Sequence, residues 1–97
     1  MTDDDAASTL KCIIAWSPRR NLCTIIAGQL ADMVPQTGIR PLGDDAHIVY
    51  TPLNAEQLRD ALRDQLTPDE ALLVTEFEAW SGYGQSLDAK WLLAHGH

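Results

Sequence analysis

From Leu10 to Trp16 the chain reads LKCIIAW, apolar except at Lys11. An uninterrupted apolar run of this length predicts a strand in the middle of a sheet, covered on both faces. Ser17-Pro18 then offers a hydroxyl cap followed by proline, the pairing that opens a helix. Leu22, Ile25, Ile26, Leu30, Met33 and Val34 recur at spacings of three, one, four, three and one, which predicts an amphipathic helix ending before Pro35. Gly28 within it is either a mild cost or a point of close packing. Thr37 to Leu42 carries Gly38 and Pro41 and predicts an edge strand, where proline is tolerated. Gly43-Asp44-Asp45 is turn chemistry. Ala46 to Thr51 follows as a strand, so the two segments form a hairpin.

In the second half, Asn54 predicts an N-cap, with Gln57 placed to complete a capping box and Leu53 and Leu58 placed as a hydrophobic staple. Leu58, Ala61, Leu62 and Leu66 form the apolar stripe of that helix, and Arg59, Asp60, Arg63 and Asp64 its wet face. Glu56 with Arg59, and Asp60 with Arg63, are favourable pairs at three-residue spacing. Thr67-Pro68 stops the helix, because the residue before proline avoids helical angles. Ala71 to Phe77 is a second apolar strand. The loop EAWSGYGQS leads to Ser86, a cap for a short final helix with Leu87, Trp91 and Leu92 turned inward. The order β-α-β-β-α-β plus a short helix predicts an α+β, ferredoxin-like fold: a four-stranded antiparallel sheet with two helices on one face. The opposite face must be solvated or covered by a partner. Residues 1–8, acidic and small, predict a disordered tail, and 9–97 a single domain.

Charge and composition narrow the function. The net charge is −7, which argues against general affinity for nucleic acid, where phosphate neutralisation drives binding. No apolar stretch approaches the ~20 residues of a membrane span, and MTDDDAAS lacks the basic and apolar regions of a secretory signal. A cytoplasmic protein is expected. Cys12 and Cys23 fit neither a redox nor a zinc spacing and read as small buried hydrophobes. No cofactor-binding motif is present, and no cofactor is expected.

The candidate chemistry is sparse. Arg19 and Arg20 fall in the expected first helical turn, where the macrodipole disfavours cations. An anion held there by Ser17, Arg19 and Arg20 would reverse that penalty. Alternatively, both arginines are solvated or pair with nearby acids. Trp16, Phe77 and Trp91 read as core. Trp80 and Tyr83 are candidates to cover the open sheet face or to meet a second subunit, and His47 is a candidate contact at the core edge or surface. His95 and His97 form H-x-H at a chain end, too frayed for a metal site. Ser17 lacks a His/Asp arrangement that would make it a nucleophile.

The segments DAHIVYT and LNAEQLRDALRDQLTPDEALLVTEFEAWSGYG, with Trp91-Leu92, resemble the small SinR-like proteins related to the CRISPR-associated protein 2 family. The resemblance spans roughly residues 45–93. It implies a ferredoxin-like fold and a homodimer formed through the sheets. In nuclease members an aspartate at the end of the first strand holds a divalent metal across the dimer, because Mg²⁺ requires hard oxygen ligands. Here that strand end reads Ala15-Trp16-Ser17, and no carboxylate occurs between Asp5 and Asp32. The expectation is therefore a non-catalytic protein-binding regulator or inhibitor in bacterial or phage defence, partnered by protein and first by itself. The alternative is a divergent metal-dependent nuclease with ligands elsewhere, such as Asp44 or Asp45.

Overall fold

The computed structural model describes residues 8–84 and 87–96. Most of the acidic tail, the Ser86 cap and His97 lie outside the described residues. The elements are β1 (Thr9–Trp16), α1 (Cys23–Ala31), β2 (Ile39–Leu42), β3 (Ala46–Thr51), α2 (Ala55–Arg63), β4 (Ala71–Phe77) and α3 (Ala89–Gly96), with a 3₁₀ turn at Gln36–Gly38. The strands form one antiparallel sheet in the order β2-β3-β1-β4. This is the ferredoxin-like βαββαβ arrangement with a short C-terminal helix added. β1 pairs with β3 from Thr9↔Thr51 to Ile14↔Ala46 and with β4 from Leu10↔Phe77 to Trp16↔Ala71.

Alternation along the strands divides the apolar residues between two layers. Ile13 and Ala15 of β1, Val49 of β3 and Ile39 of β2 pack with Leu22, Ile26, Leu30 and Val34 from the α1 stretch and with Leu58 and Leu62 of α2. On the opposite face, Leu10 and Ile48 pack with Trp91 and Leu92 of α3, with Leu42, Tyr50, Phe77, Trp80 and Leu87 around them. α3 is anchored by Asp88, whose Oδ1 accepts from the Trp91 backbone N–H at 3.1 Å. Arg40 adds a clamp: its Nε donates to Asp88 at 3.2 Å and its guanidinium lies 5.4 Å from the Trp91 ring centroid.

Two sequence expectations change here. The first concerns where α1 begins. Ser17-Pro18 opens a turn, and the helix starts at Cys23, after Asn21 Oδ1 has accepted the Cys23 N–H at 2.7 Å. Ser17 Oγ accepts from the backbone N–H groups of Arg19 and Arg20 at 3.1 and 3.3 Å. The arginines therefore precede the helix, and the macrodipole argument does not apply to them. The second concerns β1, which is central but not covered throughout. α3 reaches only its Leu10 end, so Trp16, expected in the core, is 53% exposed and Ile14 is 42% exposed.

Glycine matters at two points. Gly43 takes φ +69° in the hairpin turn, a conformation favourable only without a side chain. Gly38 lies under β3, where a Cβ would come within 2.9 Å of the Tyr50 carbonyl oxygen.

α2 forms as expected. Asn54 Oδ1 accepts the Gln57 N–H at 2.8 Å, and Gln57 Oε1 accepts the Asn54 N–H at 2.9 Å, so orphan donors of the first turn are satisfied reciprocally. Leu58 and Leu62, one helical turn apart, are the buried face.

Candidate functional site

The segment Ser17–Arg20 follows β1, and the turn 67–70 precedes its neighbour β4, so strand pairing brings the two together. Arg19 grips Asp69 with both carboxylate oxygens engaged, Nε to Oδ2 at 3.0 Å and Nη2 to Oδ1 at 3.1 Å. Arg20 grips Glu70 likewise, Nε to Oε2 at 2.6 Å and Nη2 to Oε1 at 2.7 Å. Such fork-to-fork pairs are the strong form of the charged hydrogen bond. Glu70 also accepts from Ser17 Oγ at 2.9 Å, from Arg19 Nη2 at 3.3 Å and from the Thr67 N–H at 2.9 Å. Thr67 Oγ1 accepts from Arg19 and donates to Asp69. Arg20 Nη2 reaches the Gln65 carbonyl at 3.1 Å.

The anion between the arginines is thus the chain's own pair of carboxylates. Bonding to Arg19 and Thr67 holds the Asp69 carboxyl at about 2, below its ordinary 3.8. Bonding to Arg20, backed by Thr67 and Ser17, holds Glu70 lower still. Ser17, Arg19 and Arg20 converge on Asp69 and Glu70, and what they hold is the entry to β4. The arrangement fixes the turn between α2 and β4 to the end of β1.

His47 is 3% exposed. It pairs in register with Ile13 on the helix-covered side of the sheet, and its Nε2 lies 4.0 Å from Cys23 Sγ. Burial pushes its imidazole below the ordinary 6.5. This corrects the expectation of a partner contact at His47, because α1 covers it. Trp80 is half-buried against the Leu10–Ile48–Trp91–Leu92 layer, so its ring covers the chain's own sheet. Tyr83 is 100% exposed.

Asp44 and Asp45 occupy the β2–β3 turn, where the Asp45 carbonyl accepts the Ala15 N–H at 3.0 Å. Among the described residues, no group of three or more His, Cys, Asp or Glu side chains is placed to hold a metal ion. Both cysteines are free and half-buried. No helix among the described residues is long and apolar enough to cross a membrane.

Two features went unread in the sequence. Lys11 sits 1% exposed in the sheet, its Nζ donating to the Thr51 carbonyl at 2.7 Å with Glu76 at 3.7 Å. Burial pushes this amine below 10.5, and Glu76 opposes the shift. Its signal was a single lysine inside an apolar strand. The other is an uncovered apolar strip on the α3 side of the sheet. Ile14 and Trp16 on β1 flank Leu73 on β4, which is 56% exposed. Ile14 pairs in register with Leu73, and Trp16 with Ala71. The signal for the strip was the length mismatch between a long central strand and a short last helix.

Comparison with protein-family models, with curated proteins and with solved structures gave no match.

Proposed function

We propose that this chain works by protein contact rather than catalysis, and that its first partner is a second copy of itself. The observation that carries this reading is the strip Ile14–Trp16–Leu73, where large side chains stay in water beside an otherwise well-filled core. Neighbouring apolar side chains left exposed on one sheet face mark a surface that another molecule covers. A tryptophan among them supplies the type of anchor on which interfaces concentrate their energy. The arginines strengthen the argument in a different way. Bound to Asp69 and Glu70, they hold the neighbouring ends of β1 and β4 rigid and so pre-form the strip. A homodimer within a reducing, cytoplasmic compartment fits the two free thiols. A role as regulator or inhibitor in bacterial or phage defence is drawn from the resemblance to SinR-like proteins.

Light scattering on a size-exclusion column tests the reading. At micromolar concentration the expected mass is twice the 10.7 kDa of the chain. A single-chain mass throughout the micromolar range would overturn it. So would metal-dependent cleavage of RNA or DNA that Asp44→Ala or Asp45→Ala abolishes, since that would make the chain a nuclease.

A further inference from the structure

α1 begins at Cys23, and β3 carries His47 beneath it. Alternation along β3 puts His47 on the helix-covered side of the sheet, in register with Ile13 of β1 and Pro41 of β2. Asn21 sets the start of α1, its Oδ1 accepting the Cys23 N–H at 2.7 Å. These placements bring Cys23 Sγ to 4.0 Å from His47 Nε2. The two partners differ in access. Cys23 is half-buried and keeps a path to water. His47 is 3% exposed, and this thiol is its hydrogen-bonding contact among the described residues.

An imidazole in this setting is a base rather than a cation. Burial pushes it below the ordinary 6.5, so it is neutral at pH 7. The charged groups of the neighbouring elements are engaged elsewhere. Lys11, on the same face of β1, turns its amine to the Thr51 carbonyl at 2.7 Å. Arg40 of β2 pairs in register with Ile48 on the other face and is bonded to Asp88. α2 turns Leu58 and Leu62 to the sheet. Cys23 is the titratable group that α1 sets against the ring.

With its proton on Nδ1, the ring directs the Nε2 lone pair at the sulfur. A nucleophile with a fixed base within reach is the arrangement that activates a thiol. Such contacts are often long in the free protein and shorten in the reacting complex. The sulfur also sits in the first turn of a nine-residue helix, whose dipole favours negative charge developing there. Cys12 is the built-in contrast. It lies on the opposite face of the sheet, in register with Ile48 and Thr75, and burial pushes its thiol up.

We infer that Cys23 is a modification site for small uncharged hydroperoxides, with His47 as the base that takes its proton. The neighbouring charges being engaged, nothing here selects an anion, and a half-buried sulfur admits a small molecule. As the S–O bond forms and the peroxide O–O bond breaks, the thiol proton passes to His47 Nε2. The departing oxygen takes that proton and leaves as water or an alcohol. The sulfur is oxidised by two electrons to a sulfenic acid, and the peroxide is reduced by the same two.

Peroxide challenge of the full chain, with a 1,3-diketone to trap sulfenic acid and peptide mass spectrometry, tests it. Trypsin cuts after Arg20, which separates Cys12 from Cys23. With limiting hydrogen peroxide at pH 7, Cys23 should be labelled at least about tenfold faster than Cys12. Above pH 6.5 the Cys23 rate should stay flat to pH 7.5, because the neutral base is already formed. The Cys12 rate should climb about tenfold per pH unit, as its thiolate forms. His47→Gln, with circular dichroism to confirm the fold, should lower the Cys23 rate about tenfold and leave Cys12 unchanged. Comparable labelling of the two cysteines would overturn the proposal. So would a Cys23 rate that climbs with pH as Cys12 does, which wild type alone reveals, or a folded His47→Gln variant that reacts at the wild-type rate.

Discussion

The Glu70 carboxylate sits between two guanidinium groups, and protonating it removes its acceptor role towards Arg20. Both Asp69 and Glu70 titrate below their ordinary values of 3.8 and 4.5. Depressed carboxylates contribute stability that is fully present above those values and is lost as the pH falls through the folded-state ones. Glu70→Gln should thus lower the urea midpoint at pH 7, and the gap from wild type should narrow progressively as the pH drops below 4.5. A gap of constant size between pH 7 and pH 3 would show that the clamp contributes nothing electrostatic. At this scale the sequence was half legible. The pairing of Arg19 and Arg20 with nearby acids was among the readings it allowed, but choosing Asp69 and Glu70 needed the β1–β4 register. His47 shows the opposite limit. A histidine on an alternating strand can face either side, and only the position of α1 decides that it is buried against Cys23.

Elements were more legible than side chains, because caps and periodicity act over a few residues. The α2 box came directly from Asn54 and Gln57. Asn54→Ala should cost about 1 kcal/mol of unfolding free energy, read from chemical denaturation; no change would mean the cap is solvated in the native state. The start of α1 was misread because Ser17-Pro18 satisfies a local rule while the arginines beside it answer a distant one. Gly28 had two readings, and the helix resolves them. A Cβ there meets nothing within 4 Å, so close packing is not its reason. Gly28→Ala should therefore raise stability by about 0.5–1 kcal/mol, through a stiffer unfolded chain and better helix propensity. A loss of stability would point to a contact at this helix face that only an assembled form makes.

At the scale of the whole molecule, the four-stranded antiparallel sheet with two helices on one face followed from the order of elements, whereas the opposite face, expected to be solvated or covered by a partner, is covered in part by α3. What could not be read was how far a short last helix reaches. α3 fills the Leu10 end of its sheet face and stops there, and the strip Ile14–Trp16–Leu73 is what remains. A polar face would need no further cover. An apolar one gives the molecule a reason to associate. Leu73 is the most exposed residue of the strip, so a charge there should leave the fold intact. The most direct measurement is sedimentation equilibrium on wild type and Leu73→Lys side by side, with circular dichroism to confirm equal folding. The account predicts a two-chain mass for wild type and a one-chain mass for the variant at the same micromolar concentration. Equal masses for the two folded proteins would contradict it.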